Sequence, residues 1–133
     1  MFLLLAACGT STVTETDASA EAGPGSFELA TPQQAADIID SSLGNDGFVL
    51  LDVRTPEEYA EGHIAGSENI DFYESVFADN IAQLNRDASY VVYCRSGNRS
   101  GQTTELMKQL GFTDVTDISG GIVAWQSEGL PTE

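Results

Sequence analysis

Two apolar runs constrain this chain more than any other feature. They are Phe48-Val49-Leu50-Leu51-Asp52-Val53 and Tyr90-Val91-Val92-Tyr93. Each is rich in β-branched or aromatic residues and shows no alternation of apolar with polar positions. A strand with one wet face would alternate, whereas a strand covered on both faces of a parallel sheet reads as a continuous apolar run. Parallel strands need crossovers, usually helices. The runs therefore predict an α/β protein whose mainly parallel central sheet has helices on both faces.

The segments around the runs supply those helices. Thr31-Pro32 reads as an N-cap followed by proline at the first helical position, with Ala35, Ala36, Ile38, Ile39 and Leu43 at helical spacing behind it. Thr55-Pro56-Glu57-Glu58 has the same form, with a carboxylate three residues after the cap, and Gly62 closes that helix. Phe27-Glu28-Leu29 and Val115-Thr116-Asp117-Ile118 read as further strands. Residues 64–70 hold a short extended piece. Glu74 to Leu84 is expected to be helical through Val76, Phe77, Ile81 and Leu84. A helix from about Arg99 to Leu110 ends before Gly111, and Gly120-Gly121 turns the chain into a last helix from Ile122 to Glu128. The folded domain is expected over residues 27–133.

The first 26 residues read differently. Met1 to Gly9 is apolar up to Cys8, and is far too short to span a bilayer, which needs about 20 residues. Leu5-Ala6-Ala7-Cys8 resembles the lipobox of bacterial lipoproteins, in which the cysteine becomes the lipid-bearing N-terminus. The basic front of a secretory signal is missing, which fits a start lying upstream. Residues 1–8 are thus read as a signal remnant with Cys8 as the lipidation site. Residues 9–26, poor in large apolar side chains, are read as a flexible linker. Such a chain would sit outside the cytoplasm, held to a bacterial membrane by its lipid.

Charge narrows the ligands. The net charge is -16, from 21 acidic residues against 5 Lys and Arg. Nucleic acid and anionic lipid headgroups are excluded as partners by repulsion. Against that background the cations are unevenly placed: Arg95 and Arg99 flank one short loop, and Arg54 follows a strand. Scarce positive charge gathered at one place points to a small anionic substrate there.

That loop is Cys94-Arg95-Ser96-Gly97-Asn98-Arg99, between a buried strand and a helix. This junction lies at the carboxyl end of the sheet, where open α/β folds bind ligands. Backbone N–H groups of the loop, the helix N-terminus and two arginines all favour thiolate over thiol. Gly97 permits the tight turn. Ser96, Asn98 and Ser100 can donate hydrogen bonds to an anion or a terminal sulfur. Cys94 is the candidate nucleophile, with Arg95, Ser96, Gly97, Asn98, Arg99 and Ser100 as substrate-binding residues. Asp52 and Arg54 are expected to pair and shape the same sheet edge. Cys8 and Cys94 each have a separate explanation, so no disulfide is expected between them.

Leu51-Asp52-Val53-Arg54, Glu57-Glu58-Tyr59, Gly62-His63-Ile64, Asn69-Ile70, Cys94 to Ser100 and Gly120-Gly121-Ile122-Val123-Ala124-Trp125 stand in the order seen in rhodanese domains. The resemblance spans about residues 27–132. It implies a thiosulfate sulfurtransferase-like enzyme: Cys94 takes the outer sulfur of a thiosulfate-like donor as a persulfide, then yields it to cyanide or a thiol, including a protein thiol. Related phosphatases place five residues between Cys and Arg, whereas four lie between Cys94 and Arg99. Ser100 after Arg99 is phosphatase-like, but the loop length favours sulfur. A persulfide carrier without turnover, and a phosphatase or arsenate reductase, stand as the other readings.

No cofactor is implied. A single histidine, His63, and a single cysteine inside the domain leave no metal site, and His63 belongs to a motif that looks structural. The chain is read as a monomer.

Overall fold

The computed structural model describes residues 26–133. The signal remnant, the lipidation site Cys8 and the linker up to residue 25 lie outside them. The elements run β1 (Ser26–Ala30), α1 (Pro32–Ser42), β2 (Phe48–Asp52), α2 (Pro56–Glu61), β3 (Glu68–Asn69), α3 (Phe77–Ala82), β4 (Ser89–Tyr93), α4 (Asn98–Gln109), β5 (Asp114–Ile118) and α5 (Gly121–Ser127). Among the described residues no helix is long and apolar enough to cross a membrane.

The five strands form one parallel sheet in the order β1-β5-β4-β2-β3. The two apolar runs occupy interior positions, β2 beside β4, as their lack of alternation requires. Successive residues feed opposite layers. Leu50, Val91, Tyr93 and Ile118 pack with Ala35, Ala36, Ile39, Ile122 and Trp125 on the side of α1 and α5. Leu51, Val53, Tyr90, Val92, Cys94 and Val115 pack with Phe77, Ile81 and Met107 on the side of α3 and α4. Each fully buried large side chain contributes about 1.5–3 kcal/mol. The fold is thus the three-layer α/β arrangement expected.

Both helices that open on Thr-Pro carry complete capping boxes. Thr31 Oγ1 accepts the Gln34 N–H at 3.1 Å while Gln34 Oε1 accepts the Thr31 N–H at 3.0 Å. Thr55 and Glu58 make the same reciprocal pair at 3.2 Å in each direction.

Several element ends shift by a residue from the sequence reading, and α3 differs by more. Ser26, assigned to the linker, opens β1 and donates its N–H to Thr113 O at 2.7 Å. The short extended piece expected within residues 64–70 is β3, two residues long. The helix expected from Glu74 spans only Phe77–Ala82. Val76 is exposed rather than core, and it caps the helix with no side-chain hydrogen bond. The residues before it are instead taken up by turns, with Asp71 Oδ1 accepting the Tyr73 N–H at 2.9 Å.

Parallel pairing of β2 with β4 sets Asp52 opposite Tyr93. One residue further, the Val53 N–H donates to Tyr93 O at 3.1 Å. The segments Val53-Arg54 and Cys94-Arg95 therefore leave the sheet side by side.

Candidate active site

Cys94 is the first residue after β4 and is 1 % exposed. Its Sγ accepts the Gly97 N–H at 3.1 Å and lies 3.4 Å from Ser100 Oγ. Gly97 is the N-cap of α4, with φ of 108°, a left-handed value open to glycine at little cost. It supplies no side chain to cap the helix. The first N–H groups of α4 have no acceptor within the helix. The loop thus curls the chain back so that a helix N-terminus faces the sulfur, and the positive end of the helix favours an anion there.

A second backbone layer supports the loop from beneath. Ile122 N–H donates to Cys94 O at 2.9 Å, and Val123 N–H donates to Arg95 O at 3.1 Å. α5 therefore grips the loop through its own first turn. Gly121 makes this approach feasible, because a Cβ there would lie 2.4 Å from Arg95 O and 2.6 Å from Cys94 O. Sequence reasoning took Gly120-Gly121 as a turn and missed this role; two adjacent glycines before an apolar helix were the available signal.

The structure separates the cations that the sequence grouped together. Arg99 turns to Glu58, with Nη1 to Oε1 at 2.7 Å and Nη2 to Oε2 at 2.9 Å. Its guanidinium also lies 5.4 Å from the centre of the Tyr73 ring. The hydrogen bond from Arg99 outweighs burial and holds the Glu58 carboxyl down at about 2, and the same bond raises Arg99. Glu58 was read only as a capping residue; its second partner is 41 residues away and leaves no local trace.

Arg54 and Asp52 form a buried pair. Arg54 Nε donates to both carboxylate oxygens at 3.0 Å, and Nη2 reaches Oδ2 at 2.6 Å and Gly62 O at 2.7 Å. The Arg54 backbone N–H adds a bond to Oδ1 at 2.9 Å. Burial pulls the Arg54 guanidinium down, but the hydrogen bond and charge of Asp52 hold it above its ordinary value. Asn69 ties the same segment, donating to Asp52 O at 3.1 Å and Arg54 O at 2.9 Å.

Arg95 is different. It is exposed and makes no ion pair among the described residues. It borders a cavity of about 230 Å³ shared with Arg54, Glu58, Glu61 and Ile122. Ser96 and Asn98 are exposed, and Asn98 Oδ1 accepts a bond from Gln102 Nε2 at 2.9 Å. Ser100 is fully buried beneath the sulfur loop, 3.3 Å from Gly97 O. His63 is occupied elsewhere: its ring stacks on Tyr59 with centroids 3.9 Å apart, and Nδ1 lies 2.9 Å from Tyr59 O.

A cysteine at a strand-to-helix turn at the carboxyl edge of a parallel sheet, its sulfur facing the Gly97 N–H at the start of a helix, defines a class of α/β protein with a thiol set against a helix N-terminus. The family profile of the rhodanese-like domain matches residues 31–128, and the chain belongs to the rhodanese-like family. It is 39% identical over 101 residues to the thiosulfate sulfurtransferase GlpE of Pseudomonas paraeruginosa, covering 76% of this chain and 86% of that protein. It is 35% identical to thiosulfate sulfurtransferase 16, chloroplastic, of Arabidopsis thaliana, over 80% of this chain and 97% of that one. Among solved structures, a rhodanese-related protein from Thermoplasma volcanium superposes with a TM-score of 0.68 at 34% identity, over 80% of this chain and 97% of that chain. The matched relatives place the chain among rhodanese-type sulfurtransferases.

Proposed function

We propose that this protein moves sulfane sulfur from a thiosulfate-like donor to a thiophilic acceptor through a persulfide on Cys94. The observation that carries the reading is the Gly97 N–H pointing at Cys94 Sγ at 3.1 Å, at the uncapped start of α4. A donor set of backbone N–H groups, fixed before the reaction, stabilises negative charge without reorganisation.

In the first step the Cys94 thiolate attacks the outer sulfur of thiosulfate. A sulfur–sulfur bond forms to Cys94, the sulfur–sulfur bond of the donor breaks, and sulfite leaves with the electron pair. The terminal sulfur of the persulfide then carries the negative charge, within reach of the α4 N-terminus. In the second step cyanide or a thiolate takes that sulfur and restores the Cys94 thiolate. Arg95, exposed at the cavity, attracts the anionic donor; Arg99 braces the loop through Glu58 instead of standing free. That engagement also speaks against a phosphate ester as substrate, since Arg99 is not positioned as a free clamp for phosphate oxygens.

Incubation with thiosulfate and cyanide tests the reading. Thiocyanate should form, and Cys94→Ser should abolish it. Turnover retained in that variant would overturn the assignment. A protein that takes up sulfur but does not pass it to cyanide would instead be the persulfide carrier.

Lipid attachment at Cys8, and with it a place outside the cytoplasm, belongs to the same proposal and rests on the Leu5-Ala6-Ala7-Cys8 motif. Fatty-acid labelling in a bacterial host should depend on Cys8. Labelling that persists in Cys8→Ser would contradict it.

A further inference from the structure

The cavity beside Arg95 is bordered by the charged side chains of Arg54, Glu58, Glu61 and Arg95 itself. Two of these charges are already met. Arg54 lies 2.6 Å from the buried Asp52 carboxylate, and Glu58 lies 2.7 Å from Arg99. Glu61 and Arg95 are both exposed, and neither makes an ion pair among the described residues. The mechanism above uses Arg95 to attract an anionic donor and gives Glu61 no part. A carboxylate at this cavity works against the first step, because it repels the anion that Arg95 attracts. One free charge of each sign therefore borders a single small cavity, and only one of them suits the donor.

Both charges stand on backbone that is held in place. Glu61 is the last residue of α2, and the carbonyl of the next residue, Gly62, accepts a hydrogen bond from Arg54 Nη2 at 2.7 Å. His63 then pairs with Glu133: it donates its N–H to Glu133 O at 2.9 Å and accepts the Glu133 N–H at 2.8 Å. On the other element, Arg95 O accepts the Val123 N–H at 3.1 Å. Ile122, Val123 and Gln126 complete the lining of the cavity, whose volume is about 230 Å³. That is below the ~300–1,000 Å³ of sites for drug-sized ligands and suits a molecule of amino-acid size.

We propose that the acceptor in the second step is a small zwitterionic thiol, whose ammonium group pairs with Glu61 and whose carboxylate pairs with Arg95. The inference rests on the Cys94 persulfide proposed above and names its acceptor. An ammonium offers Glu61 a charge-assisted hydrogen bond, and a carboxylate can take two from a guanidinium. Acceptor sulfur bonds to the outer sulfur of the persulfide anion as the bond from that sulfur to Cys94 Sγ breaks. Cys94 keeps the electron pair as thiolate, and the acceptor leaves as its own persulfide, carrying the proton of its former thiol. The two charges also discriminate. A thiol bearing only a carboxylate is repelled by Glu61, and one bearing only an ammonium is repelled by Arg95.

The test starts from the full chain with sulfur loaded on Cys94 by thiosulfate. It follows loss of that sulfur from the Cys94 peptide in a single turnover at low ionic strength. The thiols compared are cysteine, cysteamine without the carboxylate, 3-mercaptopropionate without the ammonium, and 2-mercaptoethanol without either. For each thiol the Glu61→Gln rate is divided by the wild-type rate, which cancels the intrinsic reactivity of the thiol. Cysteine and cysteamine should slow about fivefold, the scale of an exposed ion pair. 2-Mercaptoethanol, with no charge to lose, should change little, and 3-mercaptopropionate should not slow. Arg95→Ala should show the other half of the pattern, slowing cysteine and 3-mercaptopropionate more than cysteamine. Added salt should shrink these differences. Should Glu61→Gln fail to fold, Glu61→Lys should turn the preference toward 3-mercaptopropionate. One common ratio for all the thiols, in either Glu61 variant, overturns the proposal. If thiosulfate loads no sulfur on wild-type Cys94, the donor reading fails separately, and inorganic polysulfide makes the persulfide for the same comparison. A Cys94 that takes sulfur from neither overturns both.

Discussion

Arg99 is bound to Glu58 through two parallel hydrogen bonds, of 2.7 and 2.9 Å, at the start of the helix that carries the candidate loop. The pair joins α2 to α4. It engages Arg99 with a carboxylate already committed to the Thr55 capping box.

Glu58→Gln should therefore destabilise the protein by about 1–2 kcal/mol at neutral pH, the range for a bidentate, partly covered ion pair. The sign follows from the titration. Glu58 is held at about 2, below its ordinary 4.5, so its contribution is present in full above 4.5. It is lost as pH falls from there through about 2. Urea melts of the two proteins should converge over that window. A difference that persists in acid would mean the ion pair is not its source.

Asp52 is fully buried and its charge is met by Arg54. Arg54→Met should cost about 3–5 kcal/mol, because it strands a buried carboxylate. Asp52→Leu combined with Arg54→Met should cost less than the sum of the single changes. Denaturation of all four members of the cycle checks this, and simple additivity would contradict it.

Gly121→Ala should harm both folding and function. Its Cβ would sit 2.4 Å from Arg95 O, at a φ of 62°. The loss should exceed the ~1–2 kcal/mol of a left-handed alanine alone, and sulfur loading should fall with it. Gly111→Ala, at a φ of 91° with nothing within 4 Å, should show the backbone cost only and keep activity. Equal effects at the two sites would mean that the contact between α5 and the loop is unimportant.

Arg95→Ala should raise KM for thiosulfate about tenfold with kcat little changed, since an exposed cation binds ground and transition states alike. The wild-type KM should also rise with salt more steeply than that of the variant. A fall in kcat with KM unchanged would place Arg95 in the chemical step instead.

Asp117 should be a cost to stability at neutral pH. Its carboxyl is raised by burial from 3.8 to about 6, so the folded state binds the extra proton between those values and stability falls as pH rises through them. Asp117→Asn should gain about 1–3 kcal/mol at pH 8 and nothing at pH 4. Thermal melts at the two pH values decide it.

Much of this architecture was legible because local chemistry and global fold agree. The runs over Phe48–Asp52 and Tyr90–Tyr93 could only be strands covered on both faces, and Thr31-Pro32 and Thr55-Pro56 could only open helices. The turn at Gly97 was readable for the same reason. What escaped were relationships between distant residues. Nothing near Glu58 announces Arg99, and the adjacent glycines at 120 and 121 signal a tight turn without naming the carbonyls of Cys94 and Arg95 packed against it. Asp117 reads as one polar position in a short strand, and only the fold shows it buried against α4 with Oδ1 unpaired. The late start of α3 has a different origin: Val76 fits a helical stripe by spacing, yet it lies outside because turns consume the residues before it.

The most direct test is the mass of the full chain before and after thiosulfate, with the site located by peptide mapping. The account predicts a gain of one sulfur atom on Cys94, reversed by cyanide and absent in Cys94→Ser. No gain, or a gain that remains in Cys94→Ser, would contradict it.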